Sequence, residues 1–130
     1  MPSNDPPRRF VILEHRWNGV HWDFLVEDDG NTLRTWAIDE PIAEGITLPV
    51  RSLPDHRRIY LDHEGAVSGD RGTVRRWDGG RAWVEVWGDR EVRLKVEGSQ
   101  LVGRVDFWEE GGEADAEGPR RWLFRFGKLS

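Results

Sequence analysis

Short segments of alternating apolar and polar residues limit most strongly what this chain can fold into. The segment EVRLKVE, residues 91–97, alternates charged and apolar side chains without interruption, which is the pattern of a β-strand with one buried and one solvated face. Eight further short segments are rich in Val, Ile, Trp and Phe and are separated by Gly, Pro, Asn or Asp. Helical periodicity is nearly absent. We therefore predict an all-β fold, a small antiparallel β-barrel with long loops and little helix.

Turn residues predict the connections between these strands. EDDGNT, residues 27–32, and WDGGRAW, residues 77–83, have the composition of hairpin loops. The acidic, Gly-rich stretch at residues 109–121 indicates a surface loop or flap. Residues 41–56 contain three prolines, and we expect a long irregular crossing there because Pro cannot donate a hydrogen bond within a central sheet.

The length of the chain predicts one compact domain. A chain of 130 residues is large enough for a single core and too small for two ordinary ones. Residues 1–8 contain three prolines and predict a flexible N-terminal arm, which leaves residues 9–130 as the folded domain. Eight Trp and five Phe offset the modest hydrophobic fraction of 37%. We expect a monomer.

Composition also excludes several functions. The chain has no Cys, so disulfides and thiolate metal sites are excluded. There is no signal-like start and no run of about 20 apolar residues, so we expect a cytoplasmic protein without a membrane segment. A net charge of −5 argues against a general DNA-coating function. Local basic clusters, in DHRRIYL and RGTVRRW, are still compatible with holding a strand end.

Two histidines and an aspartate stand out in EHRWNGVHWDFLVE, residues 14–27. Side-chain alternation in a strand puts His21 and Asp23 on one face, and Trp22 and Phe24, which have the character of core residues, on the other. If the preceding strand pairs antiparallel through the RWNGV turn, His15 approaches His21. Two imidazoles and a carboxylate are a common ligand set for Zn²⁺, Mn²⁺ or Fe²⁺. Spacing alone leaves open the alternative of hydrogen-bonded surface histidines.

Several motifs, taken in order, resemble a known family. FVILEHRWNGVHWDFLVE, LRTWAI, DHRRIYLDHEG and GTVRRWDGG together resemble the 3'-phosphoesterase domain associated with bacterial DNA ligase D, over about residues 9 to 80. The resemblance implies a small β-barrel enzyme of DNA repair, a phosphoric ester hydrolase that depends on Mn²⁺ or a similar ion such as Zn²⁺ or Co²⁺. It implies removal of a 3'-ribonucleoside or a 3'-phosphate from DNA or RNA primer ends, with a ligase or polymerase acting in trans.

The resemblance also implies roles for individual residues. His15, His21 and Asp23 match the family's metal ligands. His56 matches the histidine of the family's Asp-His segment, and Tyr60 stands at the family's spacing behind it. Both are implied to contact the scissile phosphate or to assist proton transfer.

Two positions depart from the family pattern. The arginine usually found two residues after the metal-ligand aspartate is Leu25, and a lysine that usually ends the Trp-Ala-Val strand is replaced by Glu40. Both changes remove positive charge that is expected to hold the phosphate. The arginines that could substitute are Arg34, Arg51 and Arg58, and also Arg57, Arg8 and Arg9.

The sequence gives less specific predictions for several other polar and aromatic residues. Glu14 and Glu64 could orient a ligand imidazole or a bound water. An equally good interpretation is that both are exposed charged residues at the ends of strands. His63 is expected to be a surface or turn histidine. We expect most of the eight Trp to be core residues, with no more than about two exposed enough to stack on bases.

Two alternatives to an active phosphoesterase are open. A catalytically weakened metal- or nucleic-acid-binding β-barrel module would explain Leu25 and Glu40. A metalloenzyme of the cupin type also places His and carboxylate ligands on barrel strands, although the cupin spacing of histidines is not apparent here.

Overall fold

The computed structural model describes residues 5–111 and 121–129 of the chain. Regular structure in these residues consists of nine antiparallel strands and one 3-10 turn, Arg58–Leu61. The strands are β1 Arg8–Arg16, β2 Val20–Glu27, β3 Thr32–Ile38, β4 Thr47–Arg57, β5 Gly65–Ala66, β6 Thr73–Trp87, β7 Glu91–Gly98, β8 Val102–Glu110 and β9 Arg121–Gly127.

Eight of the strands close into an antiparallel barrel, in the order β1-β2-β3-β4-β9-β8-β7-β6. The barrel closes because β1 pairs with β6 along its whole length, from Arg8 opposite Ala82 to Arg16 opposite Thr73. The two-residue strand β5 adds to β6 outside the closed sheet. The prediction of an all-β barrel with little helix is confirmed.

Aromatic side chains fill the barrel interior. Trp36 and Phe107 stack with ring centroids 3.9 Å apart, and Phe24 and Phe124 each lie 5.1 Å from Phe107. All four side chains are fully buried. Trp22 packs against the same cluster, so the predicted inward face of β2 is confirmed, and buried aromatic and aliphatic side chains pack the barrel interior.

A second, smaller apolar cluster lies on the outer face of β1, β2 and β3. It arises because side chains alternate along a strand, so that Val11, Leu13 and Leu25 point away from the barrel interior. The segment after β4 folds back over them, and Leu61 of the 3-10 turn completes the cluster. This cluster supports the outer face of the hairpin on which the histidines lie.

The proline-rich segment differs from prediction, because residues 47–57 form strand β4 rather than an irregular crossing. Pro49 lies where β4 pairs only with β9, and Pro54 lies beyond the end of that pairing, at an irregularity in the pairing with β3. Each proline therefore occupies a position where one edge of the strand lacks a regular partner, which is where a sheet tolerates the missing N–H.

One of the two predicted hairpin loops is confirmed. The Asp28 N–H donates to the Thr32 carbonyl at 3.0 Å, which closes the turn between β2 and β3.

The loop predicted at WDGGRAW is wrong, because β6 runs through it as a continuous strand. Asp78 is buried and accepts hydrogen bonds from three backbone N–H groups, those of Ser99, Gln100 and Leu101. A Cβ at Gly80 would meet the Glu97 carbonyl oxygen at 2.0 Å. Gly80 here allows two strands to approach closely, and Asp78 anchors the loop after β7. Asp and Gly are also the typical residues of turns, so composition alone does not distinguish the two cases.

Two predicted segments lie mostly outside the described residues. Residues 1–4 of the predicted arm and residues 112–120 of the predicted acidic loop are not described, while Arg8 already belongs to β1. Within residues 5–111 and 121–129, no helix has the length and apolar character needed to cross a bilayer.

Candidate metal centre

Three predicted ligand residues come together on the outer face of the β1–β2 hairpin. His15 and His21 are directly opposite each other across the two strands, and Asp23 follows His21 on the same face. Nδ1 of His15 lies 3.5 Å from Oδ2 of Asp23, and Nε2 of His21 lies 2.9 Å from Oδ1. One ligand atom from each residue lies within 4.8 Å of the others, which is compatible with a shared cation.

The turn between the strands sets this register. Arg16 pairs with Val20, so the loop contains three residues. Asn18 and Gly19 both have positive φ, at 54° and 116°, which Asn and Gly tolerate better than other residues. A loop longer or shorter by one residue would move every side chain of β2 to the opposite face of the sheet. The sequence of the turn therefore decides that His15 faces His21.

The buried carboxylate of Asp23 tests whether these residues fit a metal ion. Its Oδ1 atom is buried and has no hydrogen-bond partner in the described structure, because the nearby His21 nitrogen lies outside hydrogen-bond geometry. A buried carboxylate oxygen without a donor is unfavourable. Two imidazoles and a carboxylate in this position fit a divalent cation, which would neutralise the carboxylate.

A backbone carbonyl determines which nitrogen of His15 is available. Nε2 of His15 lies 2.7 Å from the carbonyl oxygen of Arg71. A carbonyl can only accept, so Nε2–H donates and Nδ1 keeps its lone pair toward Asp23. Metal-ligating histidines commonly donate their other N–H in this way.

Gly72 allows this carbonyl to reach the histidine. Its φ of +78° is in the left-handed region, and a Cβ at this position would meet the Arg16 carbonyl oxygen at 1.9 Å. The Val67 N–H donates to the Gly72 carbonyl at 2.9 Å and closes the loop. A residue with a side chain at this position would push the loop, and with it the Arg71 carbonyl, away from β1.

A cleft of about 510 Å³ adjoins two of the three predicted ligand residues, His15 and Asp23. His15 and Asp23 lie on one side, and His56 of β4 and Tyr60 of the 3-10 turn lie on the other. The structure thus places four of the five residues predicted as metal ligands or catalytic groups around one cleft. His21 borders a neighbouring depression instead.

His56 has one nitrogen engaged and one available. Its Nδ1 lies 2.9 Å from the Pro54 carbonyl, so Nδ1–H donates and Nε2 is left to exchange a proton. Tyr60 makes edge-to-face contacts with His56 and with His63, each with ring centroids 5.7 Å apart. His63 itself is half-buried and hydrogen-bonds to the carbonyl of Ala66 in β5.

Arg34, a predicted phosphate-binding residue, lies away from the cleft. Its guanidinium packs over Trp36 and Trp87 and donates to the Gly88 carbonyl at 2.8 Å. Burial lowers the pKa of Arg34 from its ordinary value.

The other two predicted arginines have carboxylate partners outside the cleft. Arg51 forms a bidentate pair with Asp39, which raises the pKa of Arg51, and borders the depression beside His21. Arg58 pairs with Glu27. Arg57, in contrast, lines the cleft, is exposed and makes no ion pair within the described residues. Arg57 is the last residue of β4 and Arg58 is the first residue of the 3-10 turn, so the two side chains belong to different elements.

The two predicted orienting glutamates have other partners. Glu14 lies on the face of β1 opposite His15 and forms ion pairs with Arg16 and Arg75. Glu64 accepts a hydrogen bond from the Arg76 N–H. Within the described residues, neither glutamate hydrogen-bonds to a ligand imidazole.

Sequence reasoning missed two parts of the site, the loop that carries Arg71 and Gly72, and Trp17. Trp17 lines the cleft beside His15 and belongs to the turn between the two histidines. An aromatic residue inside a tight hairpin turn was the available signal, since turn positions favour Gly, Asn, Asp and Pro. The loop had no comparable signal, because its role depends on a contact distant in sequence.

Comparison with known proteins links the chain to DNA end joining. No protein-family profile matches it. It is 31% identical, over 94% of its length, to the multifunctional non-homologous end joining DNA repair protein LigD of Mycobacterium tuberculosis H37Rv. It is 30% identical, over 79% of its length, to the multifunctional non-homologous end joining protein LigD of Pseudomonas aeruginosa PAO1. The aligned parts are 16% and 14% of those proteins, so the chain spans about a sixth of the length of these curated relatives. Over most of its length, the chain is therefore similar to a domain-sized segment of the end-joining protein LigD.

Proposed function

We propose that the chain is a metal-dependent 3'-phosphoesterase that converts 3'-phosphate or 3'-ribonucleotide ends of DNA or RNA primers into 3'-OH ends during DNA repair. The observation that carries this proposal is the cluster of His15, His21 and Asp23, because His15 and Asp23 line the same cleft as His56 and Tyr60. Similarity to LigD supports a role in repair and in processing nucleic-acid ends.

Each residue of the site has a distinct chemical task in this proposal. His15, His21 and Asp23 would hold a divalent ion, with Mn²⁺ expected and Zn²⁺ or Co²⁺ as alternatives, and this ion would supply positive charge to a phosphoryl oxygen and lower the pKa of a bound water. Nε2 of His56 gives or takes a proton at the scissile phosphate. Arg57 offsets the negative charge that phosphoryl transfer spreads over the non-bridging oxygens. The Arg71 carbonyl holds His15 in the required tautomer.

The position of the ligand residues argues against a cupin-type enzyme. His15, His21 and Asp23 lie on the outer face of the barrel, while aromatic side chains pack its interior. A small-molecule site inside the barrel would need its ligand side chains on the inner face, where His15, His21 and Asp23 do not lie.

A second candidate function is a weakened module that binds metal or nucleic acid without turnover. Leu25 is fully buried in the outer apolar cluster, so its position offers no cation to the cleft. Glu40 is exposed, and Arg51 is paired with Asp39. Arg57 would then be left to carry much of the charge that the family's arginine and lysine are expected to supply.

A single assay separates the two candidates. The protein is loaded with Mn²⁺ and incubated with a 5'-labelled primer-template that ends in a 3'-phosphate or in one 3' ribonucleotide, with His15→Ala as the control. We expect conversion to a 3'-OH end that the control does not perform. Failure to convert either end, in protein shown by calorimetry to hold Mn²⁺, would favour the weakened module. The monomeric state, and a ligase or polymerase acting in trans, stay predictions.

A further inference from the structure

Among the residues that the structure describes, which include all eight tryptophans, Trp17 is the one that is exposed. Its exposed fraction is 46%, whereas the other seven tryptophans are buried or half-buried. It lines the cleft that His56 and Tyr60 share, and it also borders the depression beside His21. A large apolar ring is therefore exposed to water at the edge of the candidate metal centre, where it adds nothing to the core.

Two contacts fix the backbone and the Cβ atom of Trp17. The Trp17 N–H donates to the Gly19 carbonyl at 3.0 Å within the turn. Gly72 approaches so closely that a Cβ added there would lie 2.8 Å from the Trp17 Cβ. The ring lies nearly parallel to that of His15, with an interplanar angle of 17° and centroids 6.3 Å apart. The indole ring therefore lies beside a predicted metal-ligand residue and nearly parallel to its imidazole.

We infer that Trp17 is a stacking platform for the base of the terminal nucleotide, and this inference rests on the proposed function. In a nucleotide a single sugar joins the phosphate to the flat base, so a phosphate at the metal centre places the base within reach of a ring beside His15. Stacking on an indole does not depend on base identity, because every base has a π face. The substrate class is therefore a nucleotide 3' end of any sequence, and a phosphorylated protein or sugar lacks the group that Trp17 recognises.

The test combines a protein variant with a substrate variant. Binding is measured by fluorescence anisotropy on primer-templates whose 3'-terminal residue is either a normal nucleotide or an abasic one, both ending in a 3'-OH so that no turnover occurs. We expect Trp17→Ala to weaken binding of the normal end by roughly 5- to 150-fold, the loss found for one stacked base. We expect Trp17→Phe to keep much of the affinity. The native protein should lose a similar factor on the abasic end, where Trp17→Ala should have no further effect.

Controls separate stacking from loss of structure. Trp83→Ala removes a half-buried tryptophan that contacts Lys95 on another part of the barrel, and it should bind both ends as the native protein does. Thermal melting of each variant with and without Mn²⁺ checks that the fold and the metal centre are intact. KM for a 3'-phosphate end should rise in Trp17→Ala by a factor similar to the binding loss.

The outcomes distinguish this inference from the proposed function. If the native protein hydrolyses 3' ends but Trp17→Ala binds normal and abasic ends as the native protein does, the stacking role is wrong and the phosphoesterase stands. If the native protein binds ends with the expected dependence on Trp17 and hydrolyses none, the platform stands and the weakened module is favoured. If the native protein neither binds nor hydrolyses any 3' end, both are overturned.

Discussion

At the scale of single residues, Asp23 shows how burial turns ordinary side chains into a group that could hold a metal ion. Its carboxylate is 5% exposed and lies against both imidazoles, and its Oδ1 atom has no hydrogen-bond donor among the described residues. The same three side chains on an open surface would be solvated separately and would bind a cation weakly. Burial keeps the carboxylate in place and makes a cation the favourable partner.

Replacing His21 tests the ligand assignment directly. We expect His21→Ala to abolish stoichiometric Mn²⁺ binding and hydrolysis together, because the centre loses one of its three protein ligands. Isothermal titration calorimetry measures binding. His63→Ala is the matched control, since His63 hydrogen-bonds to Ala66 outside the centre. Unchanged metal affinity in His21→Ala would show that the ligand assignment is wrong.

Asp55 provides a pH-dependent prediction. Burial raises the pKa of Asp55, and hydrogen bonding with Asp28 raises it further. The folded state thus favours the protonated form of Asp55. The contribution of Asp55 to the free energy of unfolding is therefore present at acid pH and is lost as pH rises through the raised pKa. We expect Asp55→Asn to raise the melting temperature at pH 7 by at most about 2 °C, with no gain near pH 3.

A carboxylate with the opposite shift serves as the comparison for Asp55. A hydrogen bond from Arg104 lowers the pKa of Glu85, so its contribution is present at neutral pH and is lost as pH falls through the lowered pKa. Glu85→Gln should therefore lower the melting temperature at pH 7 and not near pH 3. Identical pH profiles for Asp55→Asn and Glu85→Gln would contradict this assignment.

At the scale of elements, the site depends on how a hairpin and a distant loop meet. The β1–β2 turn places His15 opposite His21, and the loop before β6 supplies the carbonyl that orients the His15 ring. These two elements touch at Gly72, whose missing side chain allows the contact. The metal centre is therefore a product of two elements separated by about fifty residues of chain.

Gly72→Ala should damage the metal centre as well as stability. Its positive φ alone costs about 1–2 kcal/mol for Ala, and the clash with the Arg16 carbonyl displaces the loop from β1. We expect Mn²⁺ affinity to fall by about 10- to 100-fold, as for loss of a group that orients a ligand. Calorimetric titration and urea unfolding measure the two effects.

Gly45 offers a matched control for that substitution. Its φ is +75°, nearly that of Gly72, and the nearest atom to a Cβ there is the far end of the Arg125 side chain at 3.9 Å. Gly45→Ala should therefore show the cost of backbone strain without any loss of Mn²⁺ affinity. Equal affinities in the two variants would show that the loop does not position His15.

At the scale of the whole molecule, the residues that stabilise the barrel and the residues of the candidate site lie on opposite faces of the sheet. The interior aromatic cluster holds the eight strands together, while the ligand residues and the cleft lie on the outer face. Leu25 is buried in the outer cluster and stabilises the hairpin at the position where the resemblance implies a phosphate-binding arginine.

Trp36→Ala should weaken the barrel without acting on the metal centre. Trp36 is fully buried and stacks on Phe107 at 3.9 Å, so its truncation should cost about 3–5 kcal/mol in the free energy of unfolding. Urea unfolding monitored by circular dichroism should show an earlier midpoint and a single transition. Under conditions where the variant is folded, its Mn²⁺ affinity should match that of the native protein. A loss of less than about 1 kcal/mol would contradict the placement of Trp36 in the core.

The structure also shows where sequence reasoning about strands failed. Asp and Gly in residues 78–80 resemble a turn, but β6 continues through them because Asp78 binds the backbone of the loop after β7. Prolines in β4 resemble a loop, but each lies where one edge of the strand has no regular partner. Local composition does not distinguish these cases, because the deciding contacts come from residues distant in sequence.

The sequence by itself determined the all-β class, the inward and outward faces of β2, and the meeting of His15, His21 and Asp23, because alternation along a strand and the length of one turn are local properties. Only the tertiary structure decided which arginine lines the cleft and which carbonyl orients His15. Arg57 and Arg58 are equivalent as sequence, yet one lines the cleft and the other pairs with Glu27. That difference depends on how distant segments fold back onto the barrel, which no local pattern specifies.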